Sequence, residues 1–309
     1  VCFGIYRTDN MNESLSFMCD KASFAVASIK DDTHSFIAYY DDTMLEAAIK
    51  YKTIVDEFDD AIKAGEFKMY LQPQISAKTR RLTGAEALVR RIKPDGTIIS
   101  PIDFIPVYEK SGLISRLDRY IWEQAAAKLG EWKKAGINMS ISVNISPKDF
   151  YYIDIFNTFA GLIKKYDIEP SNLKIEITET TIMSDVPNLM GELEELRKAG
   201  FTLEMDDFGS GYSSLNTLKD INVDVLKVDM GFIKETKNVK KSRIILASVI
   251  KMAKELNLLI ITEGVETEEQ VDNLTKLGCD VFQGYYFSKA IDVNEFEKRY
   301  LYWKKDGII

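Results

Sequence analysis

The chain is poor in the side chains that the commonest zinc and nucleophile sites use. It has one histidine, His34, and three cysteines, Cys2, Cys19 and Cys279, among 309 residues. A His-based zinc site, a Ser-His-Asp triad or a Cys-His pair would each depend on that single histidine. We expect His34, in a short polar stretch, to be a surface residue. The odd number of cysteines, without metal-like spacing, favours a reducing, cytoplasmic location.

Long apolar runs and net positive charge are also missing. No segment approaches the ~18 apolar residues of a membrane span, and no signal-peptide pattern opens the chain. We expect no direct membrane insertion of this fragment. In the full-length protein, N-terminal segments that are missing here could supply a membrane anchor. The formal charge of -8 argues against DNA as a partner. A small anionic substrate remains compatible if metal ions supply positive charge.

Five short β-like runs share one pattern, because each ends in acids or amides and is followed by a helix-like stretch. They read GAEALVRR (84–91), ISVNIS (141–146), KIEITET (174–180), TLEMDDFGSGYSS (202–214) and IITEGVET (260–267). Strands that alternate with helices are typical of a parallel sheet, and a (β/α)8 barrel needs ~250 residues. The sequence therefore predicts an α/β fold of the TIM-barrel type.

Two features refine this prediction. The runs KMYLQPQI and LTGAEALVRR are joined by a turn at 78–81, which is too short for a parallel crossover, so we expect one antiparallel strand. In the later strands polar and apolar residues alternate, which places Glu176 and Lys227 on faces that look into the barrel. An antiparallel sheet with one wet face would also alternate and is the alternative interpretation.

In such a barrel the strand ends bring six oxygen-bearing side chains to one rim. These side chains are Glu86, Asn144, Glu176, Asp206, Asp207 and Glu263. So many carboxylates in a partly desolvated cleft disfavour each other's ionised forms, so bound cations are expected. Oxygen ligands without histidine favour Mg²⁺ or Mn²⁺, and we predict two ions.

The first residues differ from the rest. Residues 1–45 form a strand–helix–strand pattern too small to bury a core alone, followed by the start of a linker helix. We interpret this part as the remnant of an upstream domain and residues 46–309 as the barrel.

Seven motifs resemble one known family in order and spacing, over roughly residues 60–300. They are GAEALVRR, SVNIS, EITET, DDFGSGYSSL, DVLKVD, EGVET and QGYYFS, and the family is that of the EAL-domain cyclic di-GMP phosphodiesterases. Residues 1–45 resemble the end of a GGDEF domain without its signature. The chain departs from the family at Leu71, Arg91 and Lys93, and these departures could alter substrate affinity.

The resemblance implies roles for individual residues. Glu86, Asn144 and Glu176 match the ligands of one ion, Asp206 the bridging carboxylate, and Asp207 with Glu263 the ligands of a second ion. The remaining matches are Lys227, which orients the attacking water, Glu179, which holds the loop after Asp207, and Gln72, Arg90 and Gln283, which contact substrate. From the residues alone, other interpretations stay open: a Lys227–Asp229 salt bridge, a surface Arg90, a solvated Gln283 amide and a Glu179 helix cap.

The implied activity is two-metal hydrolysis of cyclic di-GMP to linear pGpG in second-messenger signalling. Two ions roughly 3.5–4 Å apart can hold both the attacking and the leaving oxygen of a phosphodiester. The alternatives are a catalytically silent cyclic di-GMP receptor and another two-metal barrel hydrolase. The resemblance also implies a homodimer and an upstream GGDEF or sensor domain in the full-length protein.

Overall fold

The computed structural model describes residues 1–8, 12–29, 36–184, 186, 188–209, 218–219, 221–229 and 239–302. The strands in these ranges are β1 (Phe3–Ile5), β2 (Ile37–Tyr39), β3 (Phe67–Ser76), β4 (Leu82–Ile92), β5 (Ile98–Ile99), β6 (Ile141–Ile145), β7 (Leu173–Thr178), β8 (Leu203–Asp206), β9 (Val225–Asp229), β10 (Leu259–Glu263), β11 (Val281–Phe282) and β12 (Ile291–Asp292). The helices are α1 (Leu15–Ser28), α2 (Asp42–Asp56), α3 (Phe58–Lys63), α4 (Pro101–Ser111), α5 (Ile114–Lys134), α6 (Asp149–Tyr152), α7 (Ile155–Tyr166), α8 (Glu179–Ile182), α9 (Leu189–Lys198), α10 (Val239–Glu255), α11 (Glu268–Leu277) and α12 (Val293–Phe296).

Eight strands close into a barrel in the order β3-β11-β10-β9-β8-β7-β6-β4, and β4 pairs again with β3. Strand β3 is antiparallel to both of its barrel neighbours, while the pairs from β4 through β11 are parallel. Short strands β12 and β5 extend the sheet beside β3 and β4. The predicted (β/α)8 barrel with one antiparallel strand is confirmed, and the ends of its parallel strands meet at one rim.

The barrel interior is polar and the shell between strands and helices is apolar. Leu203 and Met205 on β8 are fully buried against the helices, whereas Glu204 between them points inward and is also fully buried. Its carboxylate accepts hydrogen bonds from Ser142 Oγ at 2.8 Å and Lys174 Nζ at 3.0 Å. These bonds offset the cost of burying the charge. The alternation in the sequence therefore marks the two faces correctly.

The part before the barrel is small. Strands β1 and β2 pair in parallel, with Phe3 opposite Ile37. Only Ala25 and Ala38 are buried among the described residues before α2, while Phe3 and Ile37 are more than half exposed. The described residues of this segment therefore bury few apolar side chains, and its assignment as a remnant of an upstream domain stays a prediction. None of the described helices is long and apolar enough to cross a membrane.

Helix α2 reaches the barrel at a corner with α3, and this corner holds a buried charge. Glu57 is the one residue between the two helices. Arg91 on the outer face of β4 is 3% exposed, and it donates from Nη2 to Glu57 at 2.7 Å and from Nε to Glu66 at 2.9 Å. Beside it lies a ring cluster in which Phe58 and Tyr108 have centroids 4.9 Å apart. Arg91 thus fastens the α2–α3 corner to β4, and its predicted effect on substrate affinity stays a prediction.

The end of the barrel differs from the expected elements. Residues 281–288 are strand-like in sequence, but β11 ends at Phe282, and the Val265 carbonyl accepts a hydrogen bond from Tyr286 N at 3.0 Å beyond it. A Cβ at Gly284 would lie 2.2 Å from the Val265 carbonyl oxygen, so only glycine fits there. The helix-like stretch that follows β12 consists of α12 and a π-helical turn, Glu297–Leu301. His34 and the loop residues from 210 to 214 lie outside the described residues.

Candidate active site

The structure brings the predicted rim residues to the carboxyl ends of neighbouring strands. Each of these residues belongs to the inward-facing set of its strand. The register places Asn144 opposite Glu176 and Thr178 opposite Asp206 on neighbouring strands. The placements are Glu86 on β4, Asn144 on β6, Glu176 on β7, Asp206 on β8, Lys227 on β9 and Glu263 on β10. Residues that are distant in sequence therefore face one another across the barrel.

Lys227 is the centre of this group. Its side chain is 1% exposed, and its Nζ lies 2.7 Å from Glu263 Oε1 and 3.3 Å from Glu86 Oε2. It also contacts Glu176, and Asp206 Oδ1 is 3.6 Å away. One buried ammonium thus meets four carboxylates. A simple Lys227–Asp229 pair does not describe its surroundings.

The excess negative charge at the rim raises the pKa values of its ionisable groups. Burial, reinforced by Glu263, Glu86 and Asp207, raises the pKa of Asp206 to about 9. Burial alone would lower the pKa of Lys227, but Glu263 and Glu86 raise it above its ordinary value. Without a cation beyond Lys227, the rim therefore retains a proton on a carboxyl group at neutral pH.

The donor set fits a hard divalent cation. Oxygens of Glu86, Glu176 and Glu263 lie within 4.8 Å of one another. No hydrogen bond of ordinary geometry from the described residues reaches either carboxylate oxygen of Glu176 or Oδ1 of Asp206. Buried carboxylate oxygens that lack hydrogen bonds of ordinary geometry fit the oxygen ligands that Mg²⁺, Mn²⁺ or Ca²⁺ takes.

Asn144 belongs to the same group. Its Nδ2 donates to Glu86 Oε1 at 3.3 Å, and its own backbone carbonyl accepts from Trp122 Nε1 at 2.9 Å. Trp122 is buried on α5 and packs on Phe159. The end of β6 is therefore held from outside the barrel while the Asn144 amide points to the rim.

Asp207 and Glu179 lie at the edge of the group. Asp207 follows β8 with φ of 55°, in the left-handed region, and its side chain is exposed. Although the residue as a whole is exposed, partial desolvation of its carboxyl group, reinforced by the nearby Asp229 and Glu86, raises the pKa of Asp207. Glu179 is fully buried, and its Oε2 accepts from Gly209 N at 3.3 Å. This bond connects the end of β7 to the loop that follows Asp207.

The three residues expected to contact substrate occupy different positions. Gln283 and Gln72 are nearly buried behind Glu86, and Gln283 Nε2 donates to both Glu86 Oε2 and Gln72 Oε1. Arg90 is half-buried and donates to the Val89 carbonyl at 2.7 Å. Gln283 is therefore not a solvated amide, and its first partner in this structure is a candidate metal ligand.

Two clefts of about 420 Å³ each open on either side of Glu86 and Leu88. The first is lined by Gln72, Glu86, Leu88, Asp229, Glu263, Gly264, Glu266, Gln283, Gly284 and Tyr285. The second has an apolar wall that includes Ile105, Ile121 and Trp122, and its acidic groups include Glu109 and Asp118. The rim is therefore flanked by two spaces, each large enough for a planar base.

Two sets of residues near these clefts were not predicted from the sequence. Gln74, 1% exposed, donates to Gln283 Oε1 at 3.2 Å, and it shares its strand face with Gln72, which was the available signal. Asp118 lies on an otherwise apolar face of α5, and this was the signal by which the sequence could have indicated it. Burial and the neighbouring Asp149 raise the pKa of Asp118, and burial raises that of Asp149 to about 6.

The fold and this site agree with a family match. The family model of the EAL domain matches residues 55–290, and the chain belongs to this family. The EAL phosphodiesterase family is metal-dependent, which agrees with the acidic rim.

Similar proteins include signaling protein YkoW of Bacillus subtilis (strain 168), which is 34% identical over 278 residues, covering 90% of this chain and 35% of that protein. The bifunctional diguanylate cyclase/cyclic di-GMP phosphodiesterase MucR of Pseudomonas aeruginosa is 30% identical over 275 residues, covering 89% of this chain and 40% of MucR. The solved complex of the MucR phosphodiesterase with c-di-GMP superimposes with a TM-score of 0.74 at 32% identity, covering 79% of this chain and 99% of that one. The chain thus spans well under half the length of these two full-length relatives.

Proposed function

We propose that this chain is a metal-dependent phosphodiesterase that hydrolyses cyclic di-GMP to linear pGpG. The observation that carries the proposal is the meeting of Lys227 with four carboxylates at a buried point of the rim. Removing such charges from water costs several kcal/mol per ion, so a domain that only binds a ligand gains little from them. The similarity to MucR, whose phosphodiesterase is solved with c-di-GMP, supports the choice of substrate.

We infer two ions, Mg²⁺ or Mn²⁺, at the rim. Five carboxylates and one amide are more oxygen ligands than one Mg²⁺ takes, because it keeps several waters. Glu86, Asn144 and Glu176 would hold one ion, and Asp207 and Glu263 the other. Asp206 would bridge them. When bound, the ions supply positive charge at the scissile phosphate and lower the pKa of water.

The residues of the chain have separate tasks in this reaction. The ammonium of Lys227 holds the attacking water by donating a hydrogen bond to its oxygen. That oxygen forms a bond to phosphorus while the bond from phosphorus to O3′ breaks. The water releases one proton and O3′ takes one up, so the products are a free 3′-hydroxyl and the 5′-phosphate of pGpG. Glu179 keeps the start of the loop after Asp207 in place through Gly209 N.

The two clefts suit a ligand with two bases. Gln72 and Gln283 line the first cleft, and Arg90 offers a planar fork for a phosphate beside it. In the second cleft, apolar side chains form a stacking surface, and Asp118 can accept hydrogen bonds from the N–H groups of guanine. A mononucleotide would fill only one of the two spaces.

A turnover assay tests the proposal. The protein is incubated with cyclic di-GMP and Mg²⁺ or Mn²⁺, and chromatography is expected to find pGpG. Lys227→Met is expected to lower kcat about 10²–10⁴-fold while calorimetry still detects cyclic di-GMP binding. Lys174→Met is the matched control, because Lys174 also pairs with a buried barrel carboxylate, Glu204, but away from the rim.

The outcomes separate the candidate functions. Tight binding without turnover in either metal would identify a silent cyclic di-GMP receptor. Faster turnover of other phosphodiesters in a substrate panel would identify a different two-metal hydrolase. Equal kcat for Lys227→Met and the parent would remove Lys227 from the chemistry.

The whole protein's partners are also proposals. We infer a second copy of the chain as partner, an upstream GGDEF or sensor domain, and a GGDEF-like origin for residues 1–45. The exposed Phe3 and Ile37 on the β1–β2 pair support the last of these, since an apolar sheet face needs a cover. Light scattering of the purified chain tests the dimer.

A further inference from the structure

Behind Glu86, three glutamine side chains form one hydrogen-bonded chain. Gln74 Nε2 donates to Gln283 Oε1 at 3.2 Å, and Gln283 Nε2 donates to Gln72 Oε1 at 3.2 Å and to Glu86 Oε2. Gln72 Nε2 in turn donates to the Ser288 carbonyl at 3.2 Å. Gln74, Gln283 and Gln72 are only 1%, 3% and 9% exposed. Water therefore cannot easily replace a lost hydrogen-bond partner of any of these three glutamines.

The hydrogen bonds that link these three glutamines have one favourable direction. A carboxylate oxygen only accepts hydrogen bonds, so Glu86 requires the Nε2 side of the Gln283 amide. The opposite side, Oε1, then needs a donor, and Gln74 provides it. If the Gln283 amide turned over, its oxygen would face two acceptors, Glu86 Oε2 and Gln72 Oε1. A buried acceptor pressed against acceptors costs far more than a hydrogen bond contributes.

The position of Gln74 is built into the sheet. Gln74 lies opposite Gly84 on the neighbouring strand. A Cβ at Gly84 would lie 3.0 Å from Gln74 Oε1 and 2.6 Å from Ser140 Oγ. The missing side chain thus leaves the space in which the Gln74 amide lies.

From this geometry we infer that Gln74 is a positioning residue for the metal site, because it fixes the Gln283 amide so that it donates to Glu86. The inference rests on the proposed function in taking Glu86 as a metal ligand. Hydrogen bonds to ligating carboxylates orient them, and losing such a partner typically costs 10–100-fold in metal affinity or activity. Gln74 acts one hydrogen bond further out, through Gln283.

Two substitutions test this inference. Gln74→Glu puts a second carboxylate against Gln283 Oε1, which favours turning the amide away from Glu86. We expect Mn²⁺ binding, followed by electron paramagnetic resonance without substrate, to weaken about tenfold or more. Gln74→Met removes the donor without adding a charge and should weaken Mn²⁺ binding about three- to tenfold. With Mg²⁺ and cyclic di-GMP, the metal concentration for half-maximal rate should rise in the same order.

Gln124→Met is the control. Gln124 also binds β3, through Met69 N and the Phe67 carbonyl, but from α5 outside the barrel. Its loss should leave Mn²⁺ affinity unchanged. Parent-like Mn²⁺ affinity in both Gln74 variants, or equal weakening in the control, would overturn the inference; if Gln74→Glu fails to fold, Gln74→Met alone decides. Absence of turnover in the parent would instead defeat the proposed function, since metal binding is measured without substrate.

Discussion

Replacing Arg91 by methionine should destabilise the protein without changing its chemistry. The side chain of Arg91 is 4% exposed, and those of its partners Glu66 and Glu57 are 13% and 35% exposed. The substitution takes the guanidinium away from both carboxylates, of which Glu66 is the more buried, while Glu57 keeps Lys93 Nζ at 3.7 Å. Breaking a buried pair costs about 3–5 kcal/mol, and the exposure of Glu57 places the expected loss near the lower end, at about 3 kcal/mol.

Urea unfolding measures this loss as the change in the free energy of unfolding. Arg91→Met combined with Glu66→Gln should recover part of it, because both members of a buried pair are then neutral. Asp59→Asn is the control, since Asp59 pairs with Arg116 at the same corner but both side chains are more than half exposed. That exposed pair should contribute less than about 1 kcal/mol.

The kinetic part of the prediction follows from the strand faces. Arg91 points to the helices, whereas Glu86 and Arg90 belong to the opposite face of β4, so kcat and KM should stay near the parent values well below the unfolding temperature. A loss under about 1 kcal/mol, or a double variant no more stable than Arg91→Met, would refute the buried-pair reasoning. A large change in KM would instead favour the predicted role of Arg91 in substrate affinity.

Three further predictions concern the rim and its surroundings. Glu179→Ala should raise the Mg²⁺ concentration for half-maximal rate, because the loop after Asp207 loses its bond at Gly209 N; superimposable Mg²⁺ titrations would contradict this. Asp206 has a pKa of about 9 in the folded protein and an ordinary value of 3.8, so the carboxyl group ionises first in the unfolded chain as pH rises. The contribution of Asp206 to the free energy of unfolding of the metal-free protein therefore falls between these two pH values. Mg²⁺ competes with that proton, so the rise in Tm on adding Mg²⁺ should be larger at about pH 8 than at about pH 6, and equal shifts would count against it. Removing residues 1–45 should leave turnover intact, because every proposed ligand lies after residue 70; loss of folding on truncation would show that this segment belongs to the barrel.

The sequence alone determined the faces of the strands and the order of the elements. Side chains alternate with a period of two in any strand, so the inward placement of Glu176 and Lys227 follows from local pattern. The short turn at 78–81 likewise required the antiparallel β3–β4 pair that the barrel contains. The EAL motifs resembled the family to which the chain belongs.

Tertiary structure alone decided which partners these residues meet. Gln283 binds Glu86, 197 positions away in sequence, and Gln74 is 209 positions from Gln283. No local periodicity encodes such a distance, since the contacts arise only when β3 closes the barrel between β4 and β11. The same holds for Arg91, whose partners Glu57 and Glu66 reach it only when the α2–α3 corner packs on β4. The length of β11 was decided in this way too, because the residues after Phe282 pack on and bond to Val265, whose carbonyl accepts from Tyr286 N at 3.0 Å.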